Sequence, residues 1–473
     1  MMHHLNARPC ARSAVFTALL SILPAVLLLA GCTTFQPRDM GTGGAAGAAF
    51  RSSVDTPPKG WKGPVFKLNA NYPKTRPNCD APWLKRDVNF DDPNPTWEEW
   101  APYIQDIVDY VKAGQDPNLP DATGWQTQVN GQTRWYHVPW MAYDGERGRE
   151  FVHGLTNELS TALPAFRDDG RGSGKAILND FPGDPANPPV YETWSVGMYN
   201  PCGAWSVGQV FPPAGAPATY SEGGKNFARG MPFANGTVVI KVLNTTADAT
   251  TVPYLKGSTD WQANGHKQLG PREYATCERE VRTVHLVQVD IAVVDERSPT
   301  RWVYSTLAYD GNLPGATIMD RLTPLGVQFG SDGQSFPAVS AAESKPLRET
   351  VLAPVDLPEH YGCGQRLAGT VDQANSSCVS CHMGAFAAKP PYLNLQGETI
   401  PAIFSFDGMC TVNNPANAAY FSDYKYPDTY PDGDYSQAIP LDSSLQLAVA
   451  FAQYATFMNP HALPATCPNA GSK

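Results

Sequence analysis

Along residues 283–293, Val287, Val289 and Ile291 alternate with Gln288 and Asp290. A period of two sends successive side chains to opposite faces of a strand, so this stretch reads as a strand with one buried face. Two more runs share its character. TVVIKVL at 237–243 follows the turn pair Asn235-Gly236, and WVYSTLAY at 302–309 ends at Asp310-Gly311. Their β-branched and aromatic residues suit a pleated surface, and the three runs predict neighbouring strands of one antiparallel sheet. Asn130-Gly131, between residues 125–129 and 132–138, predicts a two-residue hairpin. With 44 Pro and 41 Gly, well above the average combined usage of about 12%, turns and loops should be many and long helices few.

One helix start stands out. Thr96-Trp97-Glu98-Glu99 fits a capping box, and Trp97, Trp100, Ile104, Ile107, Val108 and Val111 then recur at helical spacing. Gly114 suits the helix end, and Pro102 is expected to kink the helix. A last helix is expected over 443–458, with Leu445, Leu447, Ala448 and Phe451 on its apolar face. The tetrapeptide WSVG occurs at 194–197 and 205–208; two copies are too few for a repeat architecture, and they read as chance or a local loop. From about 351, strand patterns give way to loops rich in Pro, Asn, Asp and Tyr. The expected fold is mainly β with α. An antiparallel β-sheet body spans 61–350, and a loop-rich, partly helical C-terminal segment spans 351–473.

Residues 1–31 read as an export signal. Arg8 and Arg12 precede an apolar stretch at 13–30 that Pro24 interrupts, as in a secretory leader. Leu29-Ala30-Gly31-Cys32 resembles the lipobox of bacterial lipoproteins, which implies acylation of Cys32 and a lipid anchor. Thr33 rather than Asp after the cysteine implies sorting to the outer membrane. Residues 32–60, rich in Gly, Ala, Ser and Thr, read as a flexible tether. No other stretch reaches the roughly 18 apolar residues of a membrane span. The expected location is the periplasmic side of the bacterial envelope, with the bilayer a partner through Cys32. A net charge of −10 without a basic run argues against a nucleic-acid partner.

Export places the remaining cysteines in an oxidising space. SSCVSCHMG contains Cys378, Cys381 and His382 as C-x-x-C-H, the spacing of c-type haem attachment. Two sulfurs about one turn apart can each form a thioether, and the adjacent imidazole can ligate iron. A zinc site needs a further ligand pair, and a thioredoxin-like dithiol needs a βαβ setting; neither pattern is present. Six cysteines then remain: Cys79, Cys202, Cys277, Cys363, Cys410 and Cys467. They suit up to three disulfides among 15 possible pairings. One haem c is therefore expected, with Cys378 and Cys381 as tethers and His382 as proximal ligand. Through these three residues the chain resembles a monohaem c-type cytochrome. In small cytochromes of that kind, a methionine between the haem motif and the last helix ligates iron, a slot that Met409 occupies here. Arg134, Arg147 and Arg149, in or beside the aromatic-rich tract 135–158, are candidate partners for haem propionates. That tract reads as loop.

A second resemblance rests on FANGTVVIK at 233–241, followed by the strands near 284–294 and 302–309 and then C-x-x-C-H. This order is similar to a family of β-sheet c-type cytochromes. Some of these carry a lysine–haem cross-link and act on hydroxylamine; related members bind nitric oxide. The resemblance implies haem against a sheet, and Lys241 falls at the cross-linking position. A solvent-facing strand lysine is the plainer reading of Lys241. The expected function is one-electron transfer in the cell envelope with a redox partner protein or small molecule. The alternative is a haem enzyme or gas-binding protein with an open distal site, acting on a small nitrogen oxide, hydroxylamine or peroxide.

Overall fold

A computed structural model describes residues 53–54, 57–62, 69–113, 115, 127–129, 131–141, 143–144, 148–151, 156–161, 191–212, 216–258, 260–267, 278–335, 346–355, 357, 362–372, 376–387, 420–428 and 438–458. The described residues make one mainly antiparallel β structure with a few helices. Nine of their strands form a single sheet: β1 (Tyr136–His137), β2 (Thr156–Thr161), β3 (Glu192–Tyr199), β4 (Val238–Thr245), β5 (Asp260–His266), β6 (Arg279–Val294), β7 (Trp302–Tyr309), β8 (Leu322–Gln328) and β9 (Thr350–Leu352). The order is β9-β8-β7-β6-β4-β3-β1, with β5 on the first half of β6 and β2 on β3. The three strands read from the alternating sequence are thus neighbours, as expected. The Asn130-Gly131 hairpin also forms: Gln128–Val129 pairs with Gln132–Thr133, and Gly131 takes the positive φ of 73° that such a turn requires.

Alternation gives the sheet two different faces. On the first, Val238, Ile240 and Val242 of β4 join Val287, Val289, Ile291 and Val293 of β6 and Val303 and Leu307 of β7. Helix α1 (Trp97–Lys112) covers this face with Trp100, Tyr103, Ile104, Ile107, Val108 and Val111. Its N-terminus is the capping box read from the sequence: the Glu99 carboxylate accepts from the Thr96 amide at 3.0 Å and its hydroxyl at 2.8 Å. Each fully buried Val or Ile here contributes about 1.5–3 kcal/mol of transfer free energy.

The second face carries Tyr199, Ala292, Val294, Trp302 and Tyr304, packed against α2 (Pro201–Val210), α3 (Cys378–Met383) and α4 (Leu445–Met458). The two WSVG copies fall in unlike structures, 194–197 in β3 and 205–208 in α2. What differs is context: Asn200 caps α2 by accepting from the Gly203 amide at 3.0 Å, and Pro201 opens it. The tract 135–158 is not all loop. It contains β1, Tyr143–Asp144, Gly148–Phe151 and the start of β2: β1 and β2 pair with β3, as in Tyr136 with Tyr199, and Tyr143–Asp144 pairs with the second short strand.

The division expected near residue 350 runs through β9, and the described residues belong to one compact unit. A buried ionic cluster ties the two stretches together. The Arg366 guanidinium, 1% exposed, donates to the carbonyls of Ser331 (2.7 Å), Asp332 (2.8 Å) and Cys363 (3.0 Å) and lies over the Phe421 ring. Asp332 accepts from the amides of Arg348 and Glu349, and Glu349 accepts in turn from the Asp332 amide at 2.6 Å. Burial first, then Asp423 and Asp332, push the Glu349 carboxyl up from 4.5 to about 7. Between those values the folded chain holds a proton that the unfolded chain has lost, so this group's contribution to stability falls as pH rises through that window. Glu349→Gln should therefore raise the melting temperature at pH 8 and leave it nearly unchanged at pH 4. Thermal melts at the two pH values check this, and an equal change at both would contradict it.

Candidate haem site

Ser377 opens α3 by accepting from the Ser380 amide. The helix is pinned to the sheet by Gln328 of β8: its amide donates to Ser377 Oγ at 3.2 Å, and its Oε1 accepts from the Val379 amide at 3.1 Å. One helical turn then sets Cys378 and Cys381 three residues apart, with His382 next to them. The His382 ring lies 4.7 Å from that of Tyr304 on β7.

Cross-strand register lays a polar row beside this helix. Gly197, Lys241, Asp290, Thr306 and Gly326 are successive partners across β3, β4, β6, β7 and β8. Asp290 Oδ1 accepts from Gln288 Nε2 at 2.8 Å and Thr306 Oγ1 at 3.0 Å. Gln288 also anchors the segment leading to α3, accepting from the Val371 amide at 2.9 Å. Burial, then Asp372, push the Asp290 carboxyl well up; Lys241 opposes them. A Cβ at Gly197 would displace the end of the Gln446 side chain, so α4 packs closely on this row. Gly197, Val239, Lys241 and Asp290 are half-exposed on strands that are otherwise largely buried, and so are Cys378, Cys381 and His382.

His382 Nδ1 lies 2.8 Å from the Ser443 carbonyl. A carbonyl only accepts, so Nδ1 carries the proton and Nε2 keeps its lone pair. Burial lowers the His382 pKa to about 4; the Ser443 bond opposes this and Lys241 reinforces it. The ring is therefore neutral at pH 7, the form that binds a metal. Cys378 and Cys381 are not disulfide-bonded, whereas Cys79 and Cys202 are bridged to each other and Cys363 is disulfide-bonded. Burial, with Asp372 and Asp290, pushes the Cys378 thiol well up. That is the reverse of the activation a redox dithiol needs. Among the described residues no group of three His, Cys, Asp or Glu converges on a metal position. Two thiols one turn apart and outside any disulfide, with a neighbouring imidazole whose Nε2 is bare, fit a covalently attached haem.

The other sequence candidates fall elsewhere. Arg134 lies over the Tyr110 ring at 4.5 Å and donates to the Tyr110 carbonyl, so it is held at the end of α1 on the sheet's other face. The Arg149 side chain, Arg147, Met409, Cys32, Cys277, Cys410 and Cys467 lie outside the described residues. His137 is buried, and its Nδ1 accepts from the Asn69 amide at 3.0 Å; burial lowers its pKa to about 3, as suits a structural histidine. Lys241 is partly exposed on the motif's face of the sheet, opposite Asp290. A depression of about 580 Å³ lined by Asp80, Ala81, Pro82, Lys85, Arg86 and Asp106 contains none of the motif residues. Among the described residues no helix is long and apolar enough to cross a membrane. No protein-family model, curated protein or solved structure matches the chain.

Proposed function

We propose that this chain is a monohaem c-type cytochrome, a lipid-anchored redox protein of the cell envelope that performs one-electron transfer. The observation that carries the reading is the pairing of two cysteines outside any disulfide with an imidazole whose Nδ1 is committed to Ser443. Cys378 and Cys381 would form the two thioethers, and His382 would ligate iron through Nε2. Bound haem supplies one-electron chemistry at iron, at a potential set by axial ligand, burial and hydrogen bonding. The protein holds the imidazole neutral and oriented, and Gln328 and Gln288 fix the turn that carries the cysteines.

A second reading is favoured by Lys241 and Asp290, which are register partners on the motif's face of the sheet. With an open distal position, the same site would bind or transform a small nitrogen oxide, hydroxylamine or peroxide. Lys241 and Asp290 would then supply a cation and a proton-holding carboxyl at its floor, and Lys241 is where a lysine–haem cross-link would form. Spectra of the purified full chain separate the two. A low-spin iron indifferent to nitric oxide and cyanide supports electron transfer. A high-spin iron whose spectrum shifts with either ligand supports the second reading.

A further inference from the structure

The Ser443 carbonyl owes its direction to an unusual turn. Asp442 and Ser443 are consecutive non-glycine residues at φ 47° and 62°, a left-handed conformation that such residues seldom adopt. The flanks of the turn are held: Leu441 N donates to Ala385 O at 3.2 Å, and the Ser444 hydroxyl lies 2.6 Å from that of Tyr199 and accepts from the Leu447 amide. Its centre is held by charge. Both Asp442 oxygens lie 3.0 Å from Arg301 NH1, Oδ1 accepts from Trp302 Nε1 at 3.2 Å, and Oδ2 accepts from the Phe233 amide at 2.8 Å. Arg301, itself at φ 68°, also donates to the Phe233 carbonyl at 2.9 Å. Asp442 and Arg301 are each 5% exposed.

We propose that Asp442 and Arg301 are positioning residues for His382: their buried pair fixes the turn so that the Ser443 carbonyl keeps the imidazole in its Nδ1–H form, with Nε2 bare. The pair acts through one backbone carbonyl and touches neither the cysteines nor the ring. Partners of a metal-bound histidine fix its tautomer and raise its basicity, so the consequence for iron rests on the haem reading, whereas the tautomer does not.

The test is nitrogen-15 NMR of the full chain, with the His382 signals assigned by their absence in His382→Gln. Wild type should show a single tautomer, protonated at Nδ1. In haem-free chain, Asp442→Asn should raise the share protonated at Nε2 about tenfold, the effect of losing one hydrogen bond of ordinary strength. Should that variant fail to fold, Trp302→Phe, which removes one donor to Asp442, should give a smaller change of the same sign. In chain that carries haem, a weaker Nδ1–H bond makes the imidazole a poorer donor. The reduced-to-oxidised ratio at a fixed potential should then rise about tenfold, equivalent to about 59 mV for one electron. A folded variant with the wild-type tautomer, or with haem at the wild-type potential, overturns the proposal. A colourless chain with a single tautomer that responds to Asp442→Asn supports the positioning role and refutes the haem reading.

Discussion

Replacing both Cys378 and Cys381 by alanine should leave the purified chain without covalently bound haem. In cells that assemble c-type cytochromes, wild type should keep its haem stain through denaturing electrophoresis, and the double variant should lose it entirely. The fold should survive. The α3 turn is held by Ser377, Gln328 and the bond from the Cys378 amide to the Leu367 carbonyl, none of which uses a cysteine sulfur. Far-ultraviolet circular dichroism should therefore be unchanged. Each single variant should keep a reduced share of stain through its remaining thioether. If the double variant retains full stain, attachment is not at these residues.

Arg301→Ala should cost about 3–5 kcal/mol of stability at neutral pH, the usual result of stripping one partner from a buried ion pair. It would leave the Asp442 carboxylate with only Trp302 Nε1 and the Phe233 amide as donors. The loss should depend on pH. Burial already raises the Asp442 carboxyl and Arg301 opposes the rise, so without Arg301 the group should protonate more readily. A protonated carboxyl tolerates burial better than an anion, so the deficit should shrink as pH falls from 8 to 4. Urea denaturation at several pH values measures this. Replacing Arg301 and Asp442 together by leucine should cost less than Arg301→Ala alone, since no buried charge is then stranded. A cost below about 1 kcal/mol for Arg301→Ala would show that solvent reaches the pair.

The strands were legible because Val287, Val289 and Ile291 repeat with the period of a pleat, and the α1 start because Thr96 and Glu99 satisfy each other's backbone needs locally. The C-x-x-C-H motif was legible for the same reason, its chemistry lying within five residues. What failed was the meaning of the polar alternates. Gln288, Asp290 and Lys241 have the spacing of a solvated face, yet helices from distant parts of the chain pack against that face. No local pattern distinguishes a strand residue facing water from one facing a later segment. Asp442, Ser443 and Arg301 were also invisible: their roles depend on left-handed backbone and on a pairing across 141 residues. The WSVG copies make the point most directly, since one sequence is strand in β3 and helix in α2.

The most direct test of the account is the reduced-minus-oxidised optical spectrum of the exported full chain, recorded before and after denaturation. The account predicts the sharp visible bands of a c-type haem, still attached to the polypeptide once it is unfolded. A chain that folds, is exported by cells competent to assemble cytochromes and yet remains colourless would contradict it.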